Sequence, residues 1–184
     1  MPSQFWESLA NAPAATADGT ALASAATATI SPAPDFTYQP GYWYPGKVIR
    51  AYAFGRFTTT AAQGTLTLNL QAGLIATPVT VLTSGAYVWT ASLTNAAWQL
   101  DAYVICRAAG TSGSLFAAGR MAFATLATSP PATAGQLADA LLPPSAPAAT
   151  TVDTTVAGLI RLQATESVAS QSIQVHQWLI EDMD

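Results

Sequence analysis

Charge is the scarcest ingredient of this sequence. Asp, Glu, Lys and Arg together make up 9% of its 184 residues, against about 25% in an ordinary soluble domain, while apolar residues reach 51%. A surface of Ala, Thr, Ser and Gln stays hydrated, but isolated monomers rely on net and interspersed charge to keep apart. The deficit therefore points to assembly. A net charge of −4, with Lys47 and five arginines scattered from Arg50 to Arg161, excludes the basic patch that phosphate neutralisation requires, and nucleic acid with it.

Cysteine and histidine are nearly missing as well. With Cys106 as the one thiol, neither an intrachain disulfide nor a multi-cysteine metal site can form, so the fold must rest on packing and backbone pairing. His176 is the one imidazole. No G-x-S-x-G elbow, H-E-x-x-H, C-x-x-C or EF-hand spacing accompanies it, so neither nucleophilic catalysis nor metal binding has its usual set of groups. Asp101, Asp139, Asp153 and Glu166 are spread without a local acid/base signature, and Glu181, Asp182 and Asp184 read as a solvated tail. No catalytic residue, cofactor or metal is expected. Long hydrophobic runs are absent too: Thr, Gly, Pro or Asn interrupt every stretch before ~20 residues, which excludes a helical membrane span. Residues 1–10 lack the cationic and apolar regions of a secretory signal.

What the sequence has is alternation. Leu66, Leu68 and Leu70 oppose Thr65, Thr67 and Asn69, the pattern of a half-buried strand. Lys47–Phe57 sets Val48, Arg50, Tyr52, Phe54 and Arg56 against Ile49, Ala51, Ala53 and Phe57. Ala97–Ala108 sets Trp98, Leu100, Ala102, Val104 and Cys106 against Gln99, Asp101, Tyr103 and Arg107. Further strands are predicted at 21–30, 78–83, 86–93, 115–126, 152–163 and 172–180, between turns at Ser84-Gly85, Thr94-Asn95 and 110–113. Arg50, Arg56, Arg107 and Arg120 fall in apolar strands and are expected to point outward, or to pair with Asp101 or a neighbouring subunit, because an unpaired buried charge is expensive.

Two long connections stand out. Ser31–Gly46 holds four prolines with Phe36, Tyr38, Tyr42, Trp43 and Tyr44; missing donors and a fixed φ keep it out of a sheet interior and place it across an end or flank. Thr128–Thr150 is a Pro/Ala-rich excursion in which Gly135–Leu142 has room for two helical turns ended by Pro143. At the start, Phe5, Trp6 and Leu9 suggest a helical turn or a hooked arm.

The expected fold is all-β: an antiparallel two-sheet sandwich of jelly-roll or Greek-key type with eight or nine strands. Residues 1–20 would form an arm and loop, and 21–184 one domain. Tyr and Trp dominate sugar platforms and interface hot spots, so Phe5, Trp6, Phe36, Tyr38, Tyr42, Trp43, Tyr44 and Trp178 are the interface candidates. For the cluster at 36–44, packing under the chain's own sheet, an intersubunit contact and a carbohydrate platform all stay open.

The series Gly19–Leu22, Thr27–Pro32, Gly46-Lys-Val-Ile-Arg50, Ala53-Phe-Gly-Arg56, Gly64–Leu70, Trp98–Asp101 and Gly119-Arg120 resembles virion structural proteins of tailed phages that infect actinobacteria. The resemblance spans about residues 19–126 and rests on strand and turn sequences. It implies a non-enzymatic capsid decoration or minor capsid protein, made in the host cytoplasm and placed on the capsid surface. Its partners would be copies of itself, commonly in a homotrimer, and the major capsid protein or other virion proteins. A minor tail or tail-tip component is the nearest alternative.

Overall fold

The computed structural model describes residues 8–11, 20–22, 27–31, 35–62, 64–88, 90–124, 137–168 and 171–183. These contain β1 (Ser8–Asn11), β2 (Thr20–Leu22), β3 (Thr27–Thr29), β4 (Phe36–Tyr38), β5 (Val48–Thr58), β6 (Thr65–Leu74) and β7 (Val79–Thr83). The second half supplies β8 (Tyr87–Val88), β9 (Ala96–Ala108), β10 (Gly113–Ala124), β11 (Leu137–Leu142), β12 (Thr150–Val152), β13 (Gly158–Glu166) and β14 (Gln171–Asp182). All pairs are antiparallel, and they form two packed sheets, the all-β sandwich that the alternation predicts.

Six long strands form the interior and eight short ones the margins. The large sheet runs β14–β5–β9–β10, the small one holds β13–β6 at its centre. Every margin is a strand in two pieces lying end to end: β1 and β2 on β14, β11 and β12 on β10, β3 and β4 on β13, β7 and β8 on β6. The break between β11 and β12 holds Pro143, Pro144 and Pro147, residues that cannot continue a ladder. The two-piece margins are why fourteen strands are present among the described residues where eight or nine are expected from sequence. A three-residue strand is too short to show a period.

Connections follow a nested plan. The β1/β2 edge pairs with the last strand, β14; the β3/β4 edge pairs with β13; β5 pairs with β9, and β6 with β7/β8. The β10–β11/β12 pair is an extension that widens the large sheet beyond β9.

One helical expectation is corrected, and one of two alternatives at the start of the chain is set aside. Leu137–Leu142 is a strand with Leu142 opposite Gly119 and Leu137 opposite Ala124; the free edge of β10 offers six residues a ladder, where two helical turns next to Pro143 would leave their carbonyls without partners. Ser8–Asn11 likewise pairs with Leu179–Glu181 instead of turning as a helix. The strand expected over 21–30 is two short strands that serve different sheets. Phe5 and Trp6 lie outside the described residues.

The core follows from parity. Along β5, Ile49, Ala51, Ala53 and Phe57 are buried between half-buried neighbours, and β9 repeats this with Trp98, Leu100, Ala102, Val104 and Cys106. Leu66, Leu68, Leu70, Ile160, Leu162 and Ala164 answer from the small sheet. At Gly55 a side chain is impossible: a Cβ there would stand 1.7 Å from the Gln174 carbonyl oxygen and 2.8 Å from Trp98 Nε1. The Trp98 indole instead passes over the glycine and donates to the Gln174 carbonyl at 3.0 Å. The ladder between β14 and β5 shifts by one residue beside it, between Val175 and Gln177, a β-bulge that places His176 and Gln177 together opposite β5.

Candidate interface

The aromatic segment packs under the chain's own sheets. Tyr38 stacks on Tyr42 at 5.3 Å, Tyr42 meets the edge of Trp43 at 5.3 Å, and Phe36 meets Tyr42 at 5.9 Å. Tyr38 and Trp43 are buried, Phe36 and Tyr42 half-buried. The Tyr38 hydroxyl lies where a Cβ on Gly158 would be, beside the Gly73 carbonyl; burial pushes its pKa up. Lys47 is buried with its ammonium 4.7 Å from the Tyr42 ring centre and 5.1 Å from that of Tyr44, and it pairs with Asp182. Trp178 is buried on the inner side of β14. Among the sequence-derived candidates that are described, Tyr44 alone is exposed, at 47%. The segment closes one end of the sandwich, and the ring faces of Tyr38, Trp43 and Trp178 are spent inside the molecule.

Nor do the scattered acids converge. Asp101 points outward from β9 in the large sheet, while Glu166 is fully buried and faces inward from the end of β13 in the small one. Among the described residues no three His, Cys, Asp or Glu side chains gather where they could hold a metal ion. Cys106 is buried, and burial raises its pKa, which makes it a core residue and a poor nucleophile. No helix among the described residues is long and apolar enough to cross a membrane.

The outer face of the large sheet has a different character. Register places Glu181 beside Arg50, Arg50 one strand from Asp101's row, Asp101 opposite Arg120 and Arg120 beside Leu141, next to Asp139. The result is a diagonal line of alternating charge across five strand positions. Arg50 grips Asp101 with two hydrogen bonds, Nε to Oδ1 at 2.8 Å and Nη2 to Oδ2 at 2.9 Å, and reaches Glu181 at 3.2 Å. The Asp101 carboxylate holds the guanidinium charge still more firmly than usual. Arg120 and Asp139, 3.9 Å apart and both more than half exposed, close the line loosely and add little energy.

Aromatic side chains flank this line. Arg50 lies over Tyr52 at 5.5 Å, Arg56 over Phe54 at 6.0 Å and Arg107 over Phe116 at 3.9 Å, and Tyr103 stands 40% exposed among them. A shallow open depression of about 200 Å³ sits in the row of Phe54, bounded by Ala97, Gln99 and Ala122. The outer face of the small sheet carries Thr27, Thr67 and Thr165, with Arg161, Gln71 and Gln163 joined by amide hydrogen bonds, and its pattern is that of a solvated sheet. Arg and aromatic enrichment is the composition of an interface core, where Lys, Ser and Ala are depleted. Charges already paired within the chain can be covered without leaving any of them alone in a dry contact.

Alternation along each strand shows which of these side chains point the same way. It cannot show that Glu181 stands beside Arg50, because a pairing across 131 residues depends on register. A scan against protein-family models, a search of curated proteins and a search of solved structures each return no match.

Proposed function

We propose that this chain is a non-enzymatic virion structural protein of a tailed phage, a capsid decoration or minor capsid protein held on the head surface by protein–protein contacts. The observation that carries the reading is the outer face of the large sheet: a broad, half-apolar surface with arginines laid on aromatic rings and its central charges paired in advance. The nested strand order supports it. With β10–β11/β12 set aside as an added pair, the first edge pairs with the last strand and each inner pair with the next, an order we read as a jelly roll, the architecture of many viral capsid domains. Fold analogy alone would also admit lectins; the missing charge and the closed aromatic segment favour adhesion between proteins.

The mechanism is adhesive. Each copy contributes modest apolar and arginine–aromatic contacts, and repetition around a symmetric lattice turns them into avidity. Quantitative mass spectrometry of purified particles of the phage that encodes the chain is the test. Hundreds of copies per particle are expected. A handful would move the chain to the tail tip, and absence from the particle would overturn the reading.

A further inference from the structure

We infer that the outer face of the large sheet binds a second copy of this chain, large sheet on large sheet, about a two-fold axis running along the strands between β5 and β9. The inference rests on reading that face as an interface, and it is independent of which particle the chain belongs to.

Size is the first argument. Six strand positions, counting each two-piece margin as one, span about 24 Å, and strands of eleven to thirteen residues run about 37 Å or more. The face is therefore about 900 Å², close to the ~800 Å² that each partner gives to a standard stable interface.

Charge order selects both the occupant and the axis. A two-fold axis between β5 and β9 lays β5 of each copy over β9 of the other, and β14 over β10. Arg50 then comes over the second copy's Tyr103 with the second copy's Asp101 one row along, and Glu181 over Ala118 with the second copy's Arg120 one row along, within reach of long side chains and opposite in sign in each case. Val48 falls over Ile105, apolar on apolar; Tyr103 falls over Arg50, where a cation–π contact can form; and Phe54 faces the row of the depression beside Ala97 and Gln99. An axis along β9 would instead put Asp101 on the second copy's Asp101 and Arg50 one row from Arg120, like on like. The axis that matches charges is also the midline of the sheet, so full overlap and complementarity coincide, as an isologous contact requires.

Within one chain, Glu181 and Arg120 are three strands apart, about 14 Å, and cannot touch. Coupling between them therefore reports a second copy. Sedimentation velocity over a hundredfold range from about 1 μM should show a reversible dimer. Phe54→Ser and Tyr103→Ser should each weaken it about tenfold or more, while Ile75→Ser, at a turn of the small sheet, leaves it unchanged, with thermal melts confirming that every variant folds. Glu181→Arg chains and Arg120→Glu chains should each stay monomeric alone and dimerise when mixed, because the mixed dimer restores both opposite pairs. A wild-type monomer throughout the range, a trimer, or mixed variants that fail to pair would overturn the inference. A monomer abundant in particles would sink the dimer and spare the virion reading; a dimer absent from particles would do the reverse.

Discussion

Among the described residues two charged side chains are buried, Lys47 and Glu166, and the fold treats them differently. Lys47 has Asp182 and two tyrosine rings around its ammonium. Both oxygens of Glu166 lack a hydrogen-bond partner, and burial alone pushes its pKa up to about 7. A carboxyl group whose folded pKa lies above its unfolded value keeps its proton longer in the native state. Its effect on stability is therefore absent below about pH 4.5, grows as the unfolded chain ionises, and levels off above about pH 7, after a loss of roughly 3 kcal/mol. Chemical denaturation between pH 5 and pH 8 should show stability falling as pH rises, and Glu166→Gln should remove about one proton's worth of that slope. A slope unchanged by the substitution would place the titration elsewhere. Parity makes the inward direction of Glu166 readable from Leu162 and Ala164; its isolation is not readable, since that depends on what the large sheet sets against it.

The strands divide by length, and so does their legibility. The six interior strands carry nine to thirteen residues, enough repeats for alternation to declare them. The margins are pieces of two to six residues whose place is set by a neighbour's open edge. Leu137–Leu142 reads as helix because Ala and Leu favour one locally, and β10 overrules that preference. Native-state hydrogen exchange should show the slowest amides in β5, β9, β6 and β13, with the marginal pieces opening at lower free energy. The Gly55 crossing gives a sharper test. Gly55→Ala has no room beside the Gln174 carbonyl and should cost more than about 3 kcal/mol. Trp98→Phe keeps most of the buried ring area but strands that carbonyl, and should cost about 1–3 kcal/mol. Equal stability of Gly55→Ala and wild type in urea titration would refute the packing described for this point.

At the scale of the whole molecule, nesting makes the earliest residues depend on the last. Ser8 pairs with Glu181, and β14 stands between the first edge and β5, so the large sheet cannot close until nearly all of the chain is present. Refolding should take milliseconds to seconds, as for other folds dominated by distant pairing. A chain ending at residue 170 should show no cooperative melt, since it removes a strand and separates two neighbours; a cooperative transition would mean that β5 finds another partner. The two-sheet class is legible in the sequence at this scale. The order of the strands is not, because alternation says which face a residue serves and nothing about which strand lies beside it.

The same pairing brings the first described strand beside the last. Ser8 opposite Glu181 sets the start of β1 and the end of β14 at one corner of the large sheet, away from its middle. A short linker joining Ser8 directly to Asp182, with new termini opened at an exposed turn such as 75–77, would yield a permuted chain with the same sheets in a new order of synthesis.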